Sequence, residues 1–332
     1  MSGWTRSDIV GTLAQGGLAG LALGGISPAQ ALGAATPPGR LAGVVALNDA
    51  GTVGDGKADD TAAINRALKQ ATALPNGAIV YAPPGIYRTL GGHVISPRLQ
   101  LVGSGVGATT FRHLGPGSCF TLTAPGVTEQ RIGIADLSIV GSDSSGATAV
   151  EFRDVSFGAW ARLVRVRDYR DGIAFLVQNV APGQYSEGVT LLGCSSSNNA
   201  RGVVFRRQNG TNSFKGFYAE QFACNIPAHG TGFDFGVDGT SQIIVYNAYF
   251  HGHIWFNKHE GNIGWDVGQK AILRDGQAWM SGEGSSPTSL SMRNRAGGTV
   301  ALFGQWWFGQ IPHEVDPRRT RIGPITSGSL HA

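Results

Sequence analysis

The chain has 332 residues, 42% of them hydrophobic and 14% charged, with a formal net charge of +4. That supplies enough apolar side chain for a substantial core, and the low charge content excludes a disordered polymer or a coiled coil. Fifty-one glycines, about twice the usual share and without a collagen period, read as turn punctuation between many short strands.

From Ile9 to Leu32 the chain is uncharged and rich in Gly, Ala and Leu, with Arg6 before it and Ala29-Gln30-Ala31 near its end. Residues 1–40 read either as a secretory leader with an A-x-A cleavage pattern or as an N-terminal attachment arm. Glycine pairs break the segment too often for a membrane span, and no later stretch is apolar enough for one. Residues 41–332 then make the folded domain, with an irregular C-terminal cap expected from about 270.

Val45-Ala46-Leu47 predicts a strand and Gly51–Gly56 a turn cluster. A helix is expected to start in Lys57-Ala58-Asp59-Asp60-Thr61, where Asp59 or Asp60 can cap free backbone N–H groups. Ile64, Ala67, Leu68 and Ala71 fall on one helical face, and Pro75-Asn76-Gly77 ends it. Ala78-Ile79-Val80-Tyr81 predicts a strand and Pro83-Pro84-Gly85 a tight turn.

The run Gly54-Asp55-Gly56-x-x-Asp59-Asp60-Thr61-Ala62-Ala63-Ile64, with Val80-Tyr81-x-Pro83-Pro84-Gly85-x-Tyr87 and Leu101-Val102-Gly103-x-Gly105, resembles the opening module of pectate-lyase-like β-helices. That group includes polygalacturonase-related enzymes, bacteriophage tail spikes and secreted β-helix proteins. The resemblance implies an all-β, single-stranded right-handed parallel β-helix with an N-terminal capping α-helix. It also implies that Asp55, Asp59 and Asp60 are capping groups. A calcium loop is the functional alternative for these three, but the downstream Glu it needs is missing.

Repetition supports the same solenoid independently. Gly172-Ile173-Ala174-Phe175, Gly202-Val203-Val204-Phe205, Gly232-Phe233-Asp234-Phe235 and Gly264-Trp265-Asp266-Val267 start 30, 30 and 32 residues apart, with Ala149-Val150-Glu151-Phe152 one turn earlier. A second series runs through Leu137, Val164, Val189, Gly216 and Ile244, spaced 25 to 28 residues. Two short strands per 25–30 residues without a crossover helix make a coil that buries its apolar face only by stacking. Roughly seven to nine coils are expected between Val94 and Trp307.

The same register nominates chemistry. The outward column reads Glu151, Ala174, Val204, Asp234, Asp266, and two stacked carboxylates at Asp234 and Asp266 suit either glycoside hydrolysis or a hard cation such as calcium, against a bland pair of solvated acids. Before each repeat glycine lie Asp168-Tyr169, Asn198-Asn199, Ala228-His229 and Glu260-Gly261. Asp168, His229 and Glu260 are catalytic candidates as a carboxylate–imidazole acid and base. Asn199 is either a structural ladder residue or, with Tyr169 and Arg167, part of a substrate-binding surface. His251-Gly252-His253, Trp255 and His259 concentrate imidazoles and an aromatic ring; His251 and Trp255 are expected to contact substrate. No third ligand at fixed spacing supports a zinc site.

Arginines cluster loosely (Arg162, Arg165, Arg167, Arg170, then Arg201, Arg206, Arg207) without interleaved lysines or a nucleic-acid motif, which leaves an acidic-polymer groove or a solvated face. Cys119, Cys194 and Cys224 have no metal-type spacing and read as buried thiols. The polygalacturonase set of Asn-Thr-Asp, Asp-Asp, Gly-His-Gly and Arg-x-Lys is not found, Ala228-His229-Gly230 being a partial echo. The Asp-Pro-His-Asp element of alginate epimerases and a pectate-lyase calcium cluster are not found either. Two functions stay open: a secreted or virion-borne β-helix that binds and cleaves a polysaccharide as hydrolase or lyase, and a non-catalytic spike or adhesin. The second would be trimeric or anchored to a virion through the N-terminal segment. No cofactor is called for with certainty.

Overall fold

The computed structural model describes residues 43–126, 132–142, 146–238, 242–256, 260–284, 288–308 and 311–323. The chain divides into Met1–Leu41 and Ala42–Ala332. The leader or arm expected at 1–40, and His259, lie outside the described residues.

Among the described residues the second unit is a parallel β-helix whose strands form sheets of eighteen and eight. The eight-stranded sheet gives one rung per coil, at His93–Ile95, Ser118–Ala124, Thr148–Val155, Ile173–Asn179, Arg201–Arg207, Thr231–Phe235, Ile263–Val267 and Leu290–Asn294. Every neighbour pairs in parallel.

Because each side chain sits over its counterpart one rung away, the core is a set of columns. One reads Phe120, Val150, Phe175, Val203, Phe233, Trp265, Met292 and another Leu122, Phe152, Val177, Phe205, Phe235, Val267, all buried. Phe205 and Phe235 stack at 5.2 Å with planes 12° apart, the offset geometry that aromatic quadrupoles favour. Trp265 is fully buried, as its inward slot predicts, and meets Phe250 at 4.8 Å and Trp306 at 5.0 Å. The three cysteines are free and buried.

The helix Thr61–Thr72 buries Ala63, Ile64, Ala67, Leu68 and Ala71 against Val44–Ala46, Ala78–Ala82 and His93–Ile95. It starts at Thr61, within the expected run, and Asp55–Asp59 before it is a strand. Asp59 caps through Thr61 N–H at 3.0 Å, whereas Asp60 accepts from the Val53 and Gly54 amides at 2.7 and 3.1 Å and ties down the preceding turn. Asp55 accepts from the amides of Lys57 and Ala58. Backbone N–H groups thus occupy all three carboxylates.

Two expectations need correction. Regular coil continues past 270, through Ala271–Gly284, Leu290–Asn294, Thr299–Trp307 and Thr320–Gly323, so no irregular cap begins there. The repeat spacing is also uneven. Val203 pairs with Phe175 and Val204 with Leu176, two residues off the glycine-led match, so Ala174 packs in the core while Leu176 joins the outward column. The slip turns Ala174 inward beside Phe175, a break in alternation that a pattern of period two does not reveal. The second series drifts for the same reason: Val164 pairs with Leu137, but Leu191 pairs with Ala161 and Ile244 with Ser213.

Corners of the coil are set by residues in left-handed conformation. One corner column is Asp136, Leu163, Gly193, Gln221 (φ 57°, 51°, 60°, 53°), another Gly188, Gly216, Asn247, Asp275 (φ 62°, 64°, 50°, 54°), and a third Asp168, Asn198, His229 (φ 66°, 56°, 55°). Asp, Asn and His tolerate this region better than other non-glycine residues.

Replacing Trp265 by Ala removes the ring on which Phe233, Phe235, Phe250 and Trp306 converge. A loss of about 3–5 kcal/mol is expected, read as a lower midpoint of denaturant unfolding; an unchanged midpoint would show that these columns do not carry the stability.

Candidate active site

Asp234 and Asp266 do pair across adjacent strands, within the outward column Thr121, Glu151, Leu176, Val204, Asp234, Asp266, Arg293. Both are nonetheless buried, at 5% and 2% exposure. Arg293 and Arg295 each grip the Asp266 carboxylate with two hydrogen bonds, at 3.2 and 2.5 Å and at 3.0 and 3.0 Å. Asp234 accepts from the Val237 amide at 3.0 Å and faces Arg201 at 3.6 Å. Further along, Glu151 is held by Arg153, Ser118, Thr121 and Gln178.

The two aspartates are pushed apart electrostatically. Burial lifts Asp234 above the usual carboxylate range, against the Val237 amide and Arg201 and with help from Asp266. Burial opposes charge on Asp266 too, but hydrogen bonds from Arg295 and Arg293 outweigh it and hold that carboxyl low. With the Asp266 lone pairs filled by two guanidinium forks and Asp234 buried between the Val237 amide and Arg201, the pair leaves little room for a cation or for the water and sugar oxygen of a glycosidase. This geometry favours a structural ion cluster over the hydrolytic or calcium site expected of Asp234 and Asp266.

The Asp168, His229 and Glu260 grouping also separates. Asp168 and His229 are corner residues with positive φ. The Asp168 carboxylate accepts from Arg167 at 2.6 Å and from Asn198 at 2.8 Å, while His229 meets Glu260 through a backbone hydrogen bond, its amide donating at 3.0 Å. Tyr169 is 1% exposed and its hydroxyl reaches Nδ1 of buried His113 at 3.0 Å. Asn199, 2% exposed, donates to Val166 O and Ser196 Oγ and accepts from the Tyr169 amide. Tyr169 and Asn199 are core residues and offer no surface to a substrate.

The outer face of the eighteen-stranded sheet is different. On it lie successive outward columns: Trp160, Thr190, Tyr218, Tyr249, Gln277, Phe303 in one, and Arg165, Ser195, Ala223, His253, Ser281, Trp307 in the next but one. Between them, Glu220 on Tyr218–Ile226 meets His251 on Tyr249–Phe256, with Nδ1 to Oε1 at 2.7 Å. The Tyr218 hydroxyl donates to the other Glu220 oxygen at 2.9 Å, and Tyr249 stacks on Tyr218 at 4.8 Å and 15°. Hydrogen bonds from His251 and then Tyr218 hold Glu220 low. The bond to Glu220 raises Tyr218, and burial with the Glu220 charge raises Tyr249. With Glu220 as acceptor, neutral His251 carries its proton on Nδ1 and leaves Nε2 free as a base.

Around this cluster the face stays open. Trp255, Trp307 and Phe303 are 38%, 57% and 54% exposed, and a depression of about 460 Å³ is lined in part by Asp275, Gln277, Phe303 and Arg321. Arg162 and Arg165 point outward on Ala159–Arg167; Arg162 pairs with Asp136 at 3.0 Å. His251, Trp255 and Arg167 thus lie on this wall as proposed substrate contacts. Glu220, Tyr218 and Tyr249 escaped sequence reading. Their signal was a Tyr-x-Glu and a Tyr-x-His, 31 residues apart, of the same outward parity. Among the described residues no group of three His, Cys, Asp or Glu is arranged to hold a metal ion, and no helix is long and apolar enough to cross a membrane.

Residues 44–158 match the family model described as rhamnogalacturonase A/epimerase, pectate lyase-like. The matched segment is thus pectate lyase-like, and it opens a parallel β-helix. Mannuronan C5-epimerase AlgE2 of Azotobacter vinelandii is 40% identical over 73 residues, 20% of this chain and 7% of the epimerase. Alginate lyase 7 of the same organism is 36% identical over 111 residues, 30% of this chain and 13% of the lyase. The chain thus spans only a small part of the length of these curated relatives. Among solved structures, the iota-carrageenase of family GH82 from A. fortis aligns with a TM-score of 0.47 at 14% identity, over 80% of this chain and 57% of that one. The tailspike gp49 of Acinetobacter baumannii bacteriophage Fri1, a capsular polysaccharide depolymerase, aligns at 0.44 and 10% identity, over 87% and 64%.

Asp266→Asn leaves two guanidinium groups unpaired at pH 7, so a loss of roughly 3–5 kcal/mol is expected. Since the folded state lowers the Asp266 pKa, its stabilisation is present above the unfolded value and lost as pH falls through the folded one. The gap between variant and parent should therefore close below pH 3.8. Asp234, raised in the fold, has the opposite sign, and Asp234→Asn should cost less at pH 7. Urea unfolding at pH 3 and pH 7 reads both; equal losses for the two variants at pH 7 would contradict the assignment.

Proposed function

We propose that this protein binds an acidic polysaccharide along the outer face of the eighteen-stranded sheet and cleaves it there by β-elimination. The observation that carries the reading is the exposed Glu220–His251 pair with two tyrosines on the same carboxylate. Nε2 of His251 removes the proton next to a uronate carboxylate, the electron pair forms the C=C bond, and the glycosidic oxygen leaves with a proton from Tyr249. Glu220 holds the imidazole and balances its charge. Arg162 stands in the Glu220 column two rungs away, at about 4.8 Å per rung, and with Arg165 and Arg167 supplies positive charge for neighbouring uronates. Exposed Trp255, Phe303 and Trp307 offer faces for sugar rings.

Elimination is favoured over hydrolysis because both carboxylates on the other sheet are buried and Asp266 is gripped by two arginines. The family description and the alginate-acting names of the curated relatives support an acidic glycan, and such a substrate is met outside the cell or at a virion surface.

Incubation with alginate, polygalacturonate and bacterial capsular polysaccharides, followed by ultraviolet absorbance of unsaturated ends, should give product on at least one acidic glycan. His251→Ala should then lower kcat by about 10²–10⁴-fold, and Arg165→Ala should raise KM while leaving kcat in place. Reducing ends without unsaturation would exclude elimination. Glycan binding without cleavage would leave the face a binding surface alone.

A further inference from the structure

One rung and one column from His251, a second constellation uses different residues. His253 lies opposite Ser281, and Trp255 opposite Glu283, on the paired strands Tyr249–Phe256 and Ala271–Gly284. Ser281 Oγ is 2.8 Å from His253 Nδ1. On the far side of the ring, Nε2 is buried and has no hydrogen-bond partner, with Oε1 of Glu283 4.0 Å away. That same oxygen accepts from Trp255 Nε1 at 2.9 Å, so the indole fixes the carboxylate on the imidazole's side. The Trp255 ring also packs on the imidazole, with centroids 4.4 Å apart.

We propose that Ser281, His253 and Glu283 form a serine nucleophile, general base and orienting carboxylate that hydrolyse short-chain acyl esters. A nucleophile–base–carboxylate set is recognised by its geometry and roles, independent of fold and chain order. The roles are filled here by the nitrogen that faces each partner. Nδ1 accepts the Ser281 proton, Nε2 carries its own proton toward Glu283, and a small rotation of the exposed Glu283 closes the remaining gap.

In the reaction Ser281 Oγ adds to the ester carbonyl carbon while its proton passes to Nδ1. The alcohol then leaves with that proton as the C–O bond breaks. Water, deprotonated by the same nitrogen, attacks the acyl-serine and releases the carboxylic acid and free Ser281. Ser281 sits in a strand paired on both sides, with His253 and with Trp307. Its backbone amide is therefore not free to stabilise the oxyanion, and turnover is expected to be modest. Exposed Trp255 and Trp307 flank the serine, which suits an acyl group carried on a sugar ring. Only that choice of carrier rests on the glycan reading above.

The test uses glycan-free probes, so its outcome is separate from polysaccharide cleavage. The full chain is treated with a fluorophosphonate and mapped by peptide mass spectrometry, and its hydrolysis of p-nitrophenyl acetate is followed with time. An adduct on Ser281, and a fall in ester hydrolysis of about 10²-fold or more in Ser281→Ala and in His253→Gln, are expected. Glu283→Gln, which changes a positioning residue, should lower kcat and leave KM unchanged. Thermal midpoints equal to the parent would confirm that the variants are folded. No adduct on Ser281, or Ser281→Ala hydrolysing the ester at the parent rate, would overturn the proposal.

Discussion

Each turn of this coil hydrogen-bonds to the turn before it and the turn after it, so every side chain stands in a column of counterparts about 4.8 Å away. Apolar side chains profit from that geometry. Phe205 stacks on Phe235, and Phe233 packs at a tilt on Trp265, within a core that no single turn could close. Charged side chains do not, because like charges on neighbouring rungs repel at short range and, once buried, lose their hydration. Asp234 over Asp266 is such a conflict. The chain resolves it locally: Arg293 on the next rung and Arg295 just beyond grip the lower aspartate, and Arg201 faces the upper one.

The same stacking makes the corners chemical decoys. A coil that turns at the same place on every rung needs left-handed backbone there, and Asp, Asn, His and Gly are the residues that supply it at least cost. Asp168, Asn198 and His229 are such a column. In sequence they look like a line of catalytic groups because the residues that tolerate positive φ overlap with those that do acid–base work. What separates the two cases is where the side chain's bonds go. Asp168 ends in Arg167 and Asn198, within its own corner, whereas Glu220 holds an imidazole that keeps a free nitrogen.

Much of the fold was legible because its cues are local. The helix at Thr61–Thr72, the turn at Gly51–Gly56 and the inward slot of Trp265 follow from spacing and turn chemistry. Alternation reveals which face a residue takes; it does not reveal which residue lies opposite. Ala174 and Leu176 show the limit, since the slip of two residues changes the partners and turns Ala174 inward where alternation put it outward. Pairing across the corners depends on how many residues each turn spends there, and that is fixed by the stacked whole. Glu220 and His251 keep the 31-residue offset of Tyr218 and Tyr249, so the 30-residue spacing of the glycine series would not have joined them.

The two outward walls therefore divide the work. On the eight-stranded sheet two carboxylates of the outward column are saturated: Glu151 has four side-chain partners, and Asp266 receives four hydrogen bonds from two arginines. Such a network stiffens the coil and has little bonding capacity left for a ligand. On the eighteen-stranded sheet, His251 keeps Nε2 unused, His253 keeps a buried nitrogen without a partner, and aromatic rings stay partly in water. Unspent hydrogen-bonding capacity on a rigid ladder costs stability without a ligand. The exposed imidazole and aromatic rings of this wall, beside its outward arginines, are the physical reason to place recognition there.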